Sequence, residues 1–436
     1  MGNERSGNWG HSGRIGEVGG SGQGGYTASK FDRAKWAKMS LGDRKTAWKA
    51  MSTEEQDGLA NARKSILARQ NLLVAPLGEW QDTGNISDDV TARITAAKNE
   101  MSPGSLKLVS YTTTLYQDAL RTAGVPEEEI NGLMRNATDS IIAQELESQY
   151  HQLGDHGIHH ITGDIDRAFA IGAVLPRDMS DQQKAELMTA VIYHDSGFLT
   201  EPSGLMLDKG HQRWSAQHYD ENIKGMVTDS LGKDSAGNVG YYIRSHDSTE
   251  INWEEDPVGS SVRVSDNTAI FADDKLPGVF RDIPSNMRAL TDYNNGKIDL
   301  ETAKSTMLKN VDARQLSTAQ QERYYNAVNE ISGFTPQATL GMVGGDIADI
   351  AWVNDHVAIT LKYNEQKTQD QKVLDLGQHQ FAKFAKAYGE DPQKFTRTLN
   401  FQFEKDGRVL LEGKIQPLPR PKEAAYSGPI DNRMVT

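Results

Sequence analysis

His194 and Asp195 close the apolar run Leu187-Met188-Thr189-Ala190-Val191-Ile192-Tyr193. An imidazole followed at once by a carboxylate is costly to place against a hydrophobic helix end unless something pairs with it, and a divalent cation suits both groups. His160, His211, His246 and Asp266 stand on either side, so six candidate ligands fall within residues 160–266. Any one of them alone is more often structural; the ordered set points to a metal centre. The chain has no cysteine, which excludes disulfides, thiolate nucleophiles and Cys-bound zinc. The donors are therefore nitrogen and oxygen, a set that suits Mn, Fe, Co, Ni or Zn.

The elements that must position these groups can be read from local pattern. Ser180-Asp181-Gln182-Gln183 is a capping box, so a helix should start at Ser180, run through the apolar stretch and stop at Gly197. His194 and Asp195 then lie on its last turn, where the two oxygens of Asp195 could bridge two ions. His160 opens an amphipathic pattern continued by Ile161, Ile165, Ala168, Phe169 and Gly172. His156, His159 and His160 crowd that turn, and whether His159 or His160 is the ligand stays open. A further helix should begin near Lys209-Gly210-His211, with His211, Ser215 and His218 on one face. His246 follows the apolar patch Tyr241-Tyr242-Ile243. Asp266 sits inside the otherwise apolar or helical Val262-Arg263-Val264-Ser265-Asp266-Asn267, where a carboxylate needs a metal, a cation or a cap.

Composition sets the frame. The 436 residues are 37% apolar and 25% charged, ordinary for a soluble protein of two or three domains. No stretch approaches the roughly 20 apolar residues of a membrane span, and the Gly-rich N-terminal segment has no apolar core of a secretory signal. The net charge of −13 argues against general nucleic-acid binding, although residues 1–72 carry 12 Lys and Arg against 7 Asp and Glu. That basic segment reads first as a solvated helical face.

Along the chain, residues 1–27 hold ten glycines and read as a disordered tail. Residues 28–82 read as a helical extension with capping patterns at Ser40/Asp43 and Ser52/Glu55. Residues 83–335 form a helical domain carrying the ligands. From 336 to 418 the texture changes to a small α+β element, with a hairpin about Asn354-Asp355, a helix over about 370–388 and a second hairpin about Lys405-Asp406-Gly407. Residues 419–436 read as an extended tail. The expected fold is mainly α, a helical bundle with an N-terminal helical extension and a small C-terminal α+β element.

The ordered residues resemble the HD-domain superfamily of metal-dependent phosphohydrolases, over about residues 156–285. The His, His-Asp and distant Asp of that family are matched by His160, His194-Asp195 and Asp266, with Gly197 close after the pair. His211 and His246 are similar to the two added ligands of binuclear members. The cyclic-dinucleotide phosphodiesterase subgroup carries a Lys just after the core glycine, where this chain has Phe198. The resemblance implies an HD-domain helical bundle holding two divalent ions about 3.5–4 Å apart, bridged by Asp195 and a hydroxide that attacks phosphorus. His160, His194, Asp195 and Asp266 would hold one ion, and His211, His246 and Asp195 the other. The implied activity is cleavage of a phosphomonoester or phosphodiester. Lys275 is the first choice for a catalytic cation, with Lys209, Arg213 and His218 as substrate contacts and Arg263 as a further option. The same ligand pattern serves mixed-valent di-iron oxygenases of this fold, and a structural or binding protein with a relict HD domain is the third reading. A small phosphorylated substrate, a nucleotide among the options, a cytoplasmic location and a homodimer complete the expectations.

Overall fold

The computed structural model describes residues 66–148, 156–200, 211–248, 251–269 and 277–329 other than 284 and 295, a few positions between 46 and 52, and four strands between 345 and 415. The expectations for the tail 1–27, most of the helical extension, the helix over 370–388 and residues 419–436 lie outside the described residues. So do Lys209 and Lys275.

The described part is mainly α-helical. Its first body comprises α1 (Ile66–Val74), α2 (Ile86–Ala96), α3 (Pro103–Thr122), α4 (Glu127–Ser148), α5 (Ile158–Val174), α6 (Asp181–Tyr193), α7 (Gly197–Thr200), α8 (His211–His218), α9 (Lys224–Leu231), α10 (Lys233–Ser245) and α11 (Pro257–Ala269). The helix starts follow local chemistry. Ser102 caps α3 by accepting from Ser105 N–H, with Pro103 in the first turn, so the Ser-Pro-Gly stretch begins a helix as well as ending one. Ser180 and Gln183 form both arms of the capping box of α6. Three glutamates occupy the first turn of α4, where the helix dipole favours negative charge.

Helices α5, α6, α10 and α11 pack on one another, and α8 packs on α10. On α5, Ile158, Ile161, Ile165, Ala168 and Ile171 are completely buried, each full-sized aliphatic side chain contributing about 1.5–3 kcal/mol of transfer free energy. The polar residues His160, Asp164 and Arg167 are buried as well, so α5 is enclosed on both its apolar and its polar face.

A second apolar cluster, with Val279, Phe280, Leu290, Met307 and Tyr324 among its members, joins α12 (Gly278–Arg281), α13 (Ser285–Asn294), α14 (Leu300–Asp312) and α15 (Thr318–Asn329). It is tied to the first body by Arg323 on Glu100 and by Arg281 near Glu145. Two antiparallel hairpins follow, β1 (Gly345–Val353) with β2 (His356–Tyr363) and β3 (Leu399–Lys405) with β4 (Arg408–Ile415). Val357 is completely buried within the main core, and Ile350 and Trp352 pack against it, so the first hairpin is seated on the helical body. No described helix is long and apolar enough to cross a membrane.

Candidate metal centre

The six sequence-selected ligands converge. His160, His194, Asp195 and Asp266 offer donor atoms within 4.8 Å of one another, and so do Asp195, His211 and His246. Asp195 belongs to both groups because its two oxygens face opposite ways. Oδ2 lies 3.1 Å from both His160 Nε2 and His194 Nε2, while Oδ1 lies 3.2 Å from His211 Nε2 and 3.6 Å from His246 Nε2. Asp266 Oδ1 approaches His160 Nε2 at 3.4 Å.

Five helices set this arrangement. Helix α6 runs to Tyr193, and His194 serves as its C-cap with helical backbone angles, so His194 and Asp195 stand at the end of the helix. Gln144 of α4 donates to Ile192 O at 2.9 Å, satisfying one carbonyl that the helix end leaves without an intrahelical partner. Gly197 opens α7, and its backbone packs directly on the start of α8: a Cβ there would meet His211 O at 2.2 Å and Ser215 N at 2.6 Å. Ser215 accepts from Gly197 N–H at 2.7 Å. This close approach is what brings His211 beside Asp195. At the start of α5, Gly157 supplies no side-chain cap. The fully buried Glu145 of α4 takes that role, accepting from Ile158 N–H at 3.0 Å and from Ser105 Oγ at 2.6 Å. The first histidine is thereby held in place from another helix.

The chemistry of the donors fits divalent cations. His194 Nδ1 donates to Val191 O and His246 Nδ1 to Ile243 O, both at 2.7 Å. A neutral ring so committed presents its Nε2 lone pair. Yet Nε2 of His160 and His194 are 3.1 Å apart, and Nε2 of His211 and His246 are 2.7 Å apart. Lone pairs that close need a cation or a proton between them. The electrostatics agree. Burial pushes the pKa of His194 down, but the carboxylates of Asp195 and Asp266 outweigh it and the net shift is up. Burial likewise pushes His211 and His246 down, but hydrogen bonding to Asp195 and the neighbouring carboxylate charges outweigh it and raise both overall. Burial would push Asp195 up, but His194 and His156 hold it well below the usual carboxylate range. The site favours positive charge at its Nε2 atoms, as a set of donors that could hold a metal ion does.

The alternatives at the crowded turn separate cleanly. His160 Nε2 faces the cluster, while His159 Nε2 is 3.4 Å from Ser105 Oγ. His156 joins the site in another role, with Nδ1 2.7 Å from Asp195 Oδ2. Phe198 stacks on His211 with centroids 4.7 Å apart and 11° between planes, and its ring lies 4.4 Å from His156. It therefore walls two imidazoles just after the His194-Asp195 pair. A small cleft bordered by Gln144, Glu147, His156 and Phe198 reaches Asp195.

The expected phosphate contacts fare differently from the ligands. Arg213 is exposed, its guanidinium 4.9 Å over the Trp214 ring. Arg263 is 2% exposed and bound to Asp256 and Ser245, so it braces α11 rather than facing substrate. His218 is completely buried, and its ring nitrogens find no hydrogen-bond partner among the described residues. Burial holds its pKa down to about 4, so at neutral pH it carries no charge for a phosphate.

The sequence singled out His156 only as one of three histidines at the first turn, not as a partner of Asp195, and it gave no role to Asp164, Asp247 or Glu145. Asp247 Oδ1 lies 3.8 Å from His211 Nε2 and 3.7 Å from His246 Nε2, and with His246 and Asp266 it forms a third group of donors within 4.8 Å. Its signal was present: His246-Asp247 repeats the His194-Asp195 pair, each histidine a helix C-cap with Nδ1 on the carbonyl three residues back. Comparison with family models, curated proteins and solved structures gave no match.

Proposed function

We propose that the protein is a metal-dependent phosphohydrolase that cleaves phosphomonoester or phosphodiester bonds, with Asp195 as the bridging carboxylate between two divalent ions. The observation that carries this reading is the division of Asp195: Oδ2 turned to His160 and His194, Oδ1 turned to His211 and His246. The resemblance to HD-domain phosphohydrolases in the order of these residues supports it.

Bound divalent ions would supply a water of lowered pKa as nucleophile and neutralise charge developing on the phosphoryl oxygens. The chain's own residues supply the rest. His160, His194 and Asp266 hold one side of the centre, and His211 and His246 the other. The Nδ1 hydrogen bonds of His194 and His246 fix the tautomers that offer Nε2. His156 donates to Asp195 Oδ2 and so restrains the bridging carboxylate. Phe198 closes one wall and limits water around His211. The described cleft is lined by Glu147 rather than by a cation, so Arg213, Lys209 and Lys275 are the candidates for contacting a substrate phosphate.

Purified full-length protein assayed on chromogenic phosphodiesters and monoesters, with Mn, Co, Ni, Zn or Fe and a chelator control, tests the reading. Chelator-sensitive hydrolysis supports it, and the preferred ester narrows the substrate. Absence of hydrolysis with every ion, in protein that binds two irons and consumes oxygen, would replace it with an oxygenase.

A further inference from the structure

The first ligand cluster contains a carboxylate that the reading above does not use. Asp164 follows His160 by one turn on α5 and is 1% exposed. Its Oδ1 is held by Arg167 Nη2, and Arg167 Nε donates to Ser265 O at 3.1 Å, beside Asp266 on α11. One guanidinium thus ties Asp164 to the helix that carries another ligand. The second oxygen, Asp164 Oδ2, is buried with no hydrogen-bond partner among the described residues. It lies 3.2 Å from His160 Nε2 and 3.4 Å from His194 Nε2.

We propose that Asp164 Oδ2 is a fifth protein donor to the ion held by His160, His194, Asp195 and Asp266, and that this position takes a six-coordinate divalent ion of the Mn²⁺ or Fe²⁺ class in preference to tetrahedral zinc. The inference rests on the metal-centre reading above. Nε2 of His160, Nε2 of His194 and Oδ2 of Asp195 form a triangle with every edge 3.1 Å. Donors at about 2.1 Å from one ion are about 3.0 Å apart along the edge of an octahedron and about 3.4 Å apart in a tetrahedron. The triangle is compact enough for its three atoms to face one ion, and the number of donors around it decides the geometry. Asp164 Oδ2 and Asp266 Oδ1 stand 3.2 Å and 3.4 Å from His160 Nε2, and 3.4 Å and 3.9 Å from His194 Nε2, so both carboxylates reach the two imidazole nitrogens that face the ion. Five protein donors leave one position for water or substrate. A divalent ion together with Arg167 offsets the charge of the buried carboxylates Asp164 and Asp266 and of the shared Asp195. An oxygen-rich set of this kind favours Mn²⁺ or Fe²⁺, whereas structural and catalytic zinc sites rarely use more than four protein donors.

The test uses the full chain with His211→Ala and His246→Ala as parent, which leaves the first cluster alone. Asp164→Asn is added to it, and so is Asp164→Asn with Arg167→Gln, because the single change strands a buried guanidinium and could unfold the protein. Mn²⁺ and Zn²⁺ affinities are measured by equilibrium dialysis, with circular dichroism as the check on folding. Both variants should lose Mn²⁺ affinity by at least about tenfold, lose less for Zn²⁺, and so shift preference toward zinc. In Mn²⁺-soaked crystals of the parent, Asp164 Oδ2 should lie within about 2.2 Å of the ion. Unchanged Mn²⁺ affinity in a folded variant, or an ion more than about 3 Å from Oδ2, overturns the assignment while leaving the metal centre intact. A parent that binds no divalent ion overturns both.

Discussion

Helices α5, α6 and α11 carry the first cluster, pack on one another and bury His160, His194 and Asp266 in the main core. Arg167 braces two of those helices together. The second cluster is mounted otherwise. His211 stands in the first turn of α8, which runs on through a π-helical turn, Tyr219–Ile223, into α9, and that first turn is located by its contact with Gly197; His246 is buried at the end of α10, and the neighbouring Asp247 is exposed. A ligand set enclosed between packed helices loses little conformational freedom on binding, whereas one completed by a helix's first turn and an exposed carboxylate is ordered in part by the ion itself. The two halves should therefore differ in affinity, the first tight and the second exchangeable. Asp195, shared between them, couples the two.

Asp195→Ala gives the largest effect, because it removes a donor from both halves. Hydrolysis should fall by more than about a thousandfold and both ions should be lost, while far-ultraviolet circular dichroism stays helical; full activity would break the site assignment. The comparison between halves is sharpened by single histidines. His194→Ala should abolish tight binding and activity, whereas His211→Ala should leave one tightly bound ion with activity strongly reduced. Titration with Mn²⁺ separates these outcomes, and equal losses in the two variants would remove the asymmetry.

Gly197→Ala attacks the mounting of the second cluster. A methyl group at 2.2 Å from His211 O must push α8 away, at a cost of about 1–3 kcal/mol for overpacking. Thermal unfolding should register that loss, and the weaker ion should be released first.

The smallest effect at neutral pH belongs to His218, at the far end of α8. Burial holds its folded pKa at about 4, below the ordinary imidazole value of 6.5. The unfolded chain therefore binds the proton first as pH falls, and native stability declines between pH 6.5 and 4 by up to about 3 kcal/mol. His218→Phe should flatten that part of the stability curve in chelated protein and leave pH 7.5 nearly unchanged. Parallel curves for the two proteins would contradict the buried neutral ring.

The site was legible where residue type and order carry the information. His160, His194, Asp195, His211, His246 and Asp266 stand out because buried imidazoles and carboxylates need partners. Capping chemistry made the start of α6 readable from Ser180 and Gln183 alone. The turn at 354–355 is likewise flanked by two strands paired Val353 to His356. What escaped was information held between elements. Glu145 caps α5 from another helix, so nothing adjacent to Ile158 announces it. Phe198 reads as an ordinary apolar residue until His211 is brought against it. Asp164 had a signal, since His160, Asp164 and Arg167 follow helical i, i+4, i+7 spacing, but the amphipathic reading of α5 attended only to its apolar face. His218 shared the face of His211 as expected, yet that face is core by the second turn, which made the ring a buried spacer.

The most direct test of the central claim is the number of ions bound by the full chain after chelation and reloading with Mn²⁺, measured by equilibrium dialysis for the native sequence and for Asp195→Ala. Two ions per chain in the first and none in the second at micromolar Mn²⁺ is the result expected of a carboxylate that bridges two sites. One ion at most in the native protein, or two still bound without the Asp195 carboxylate, would contradict it.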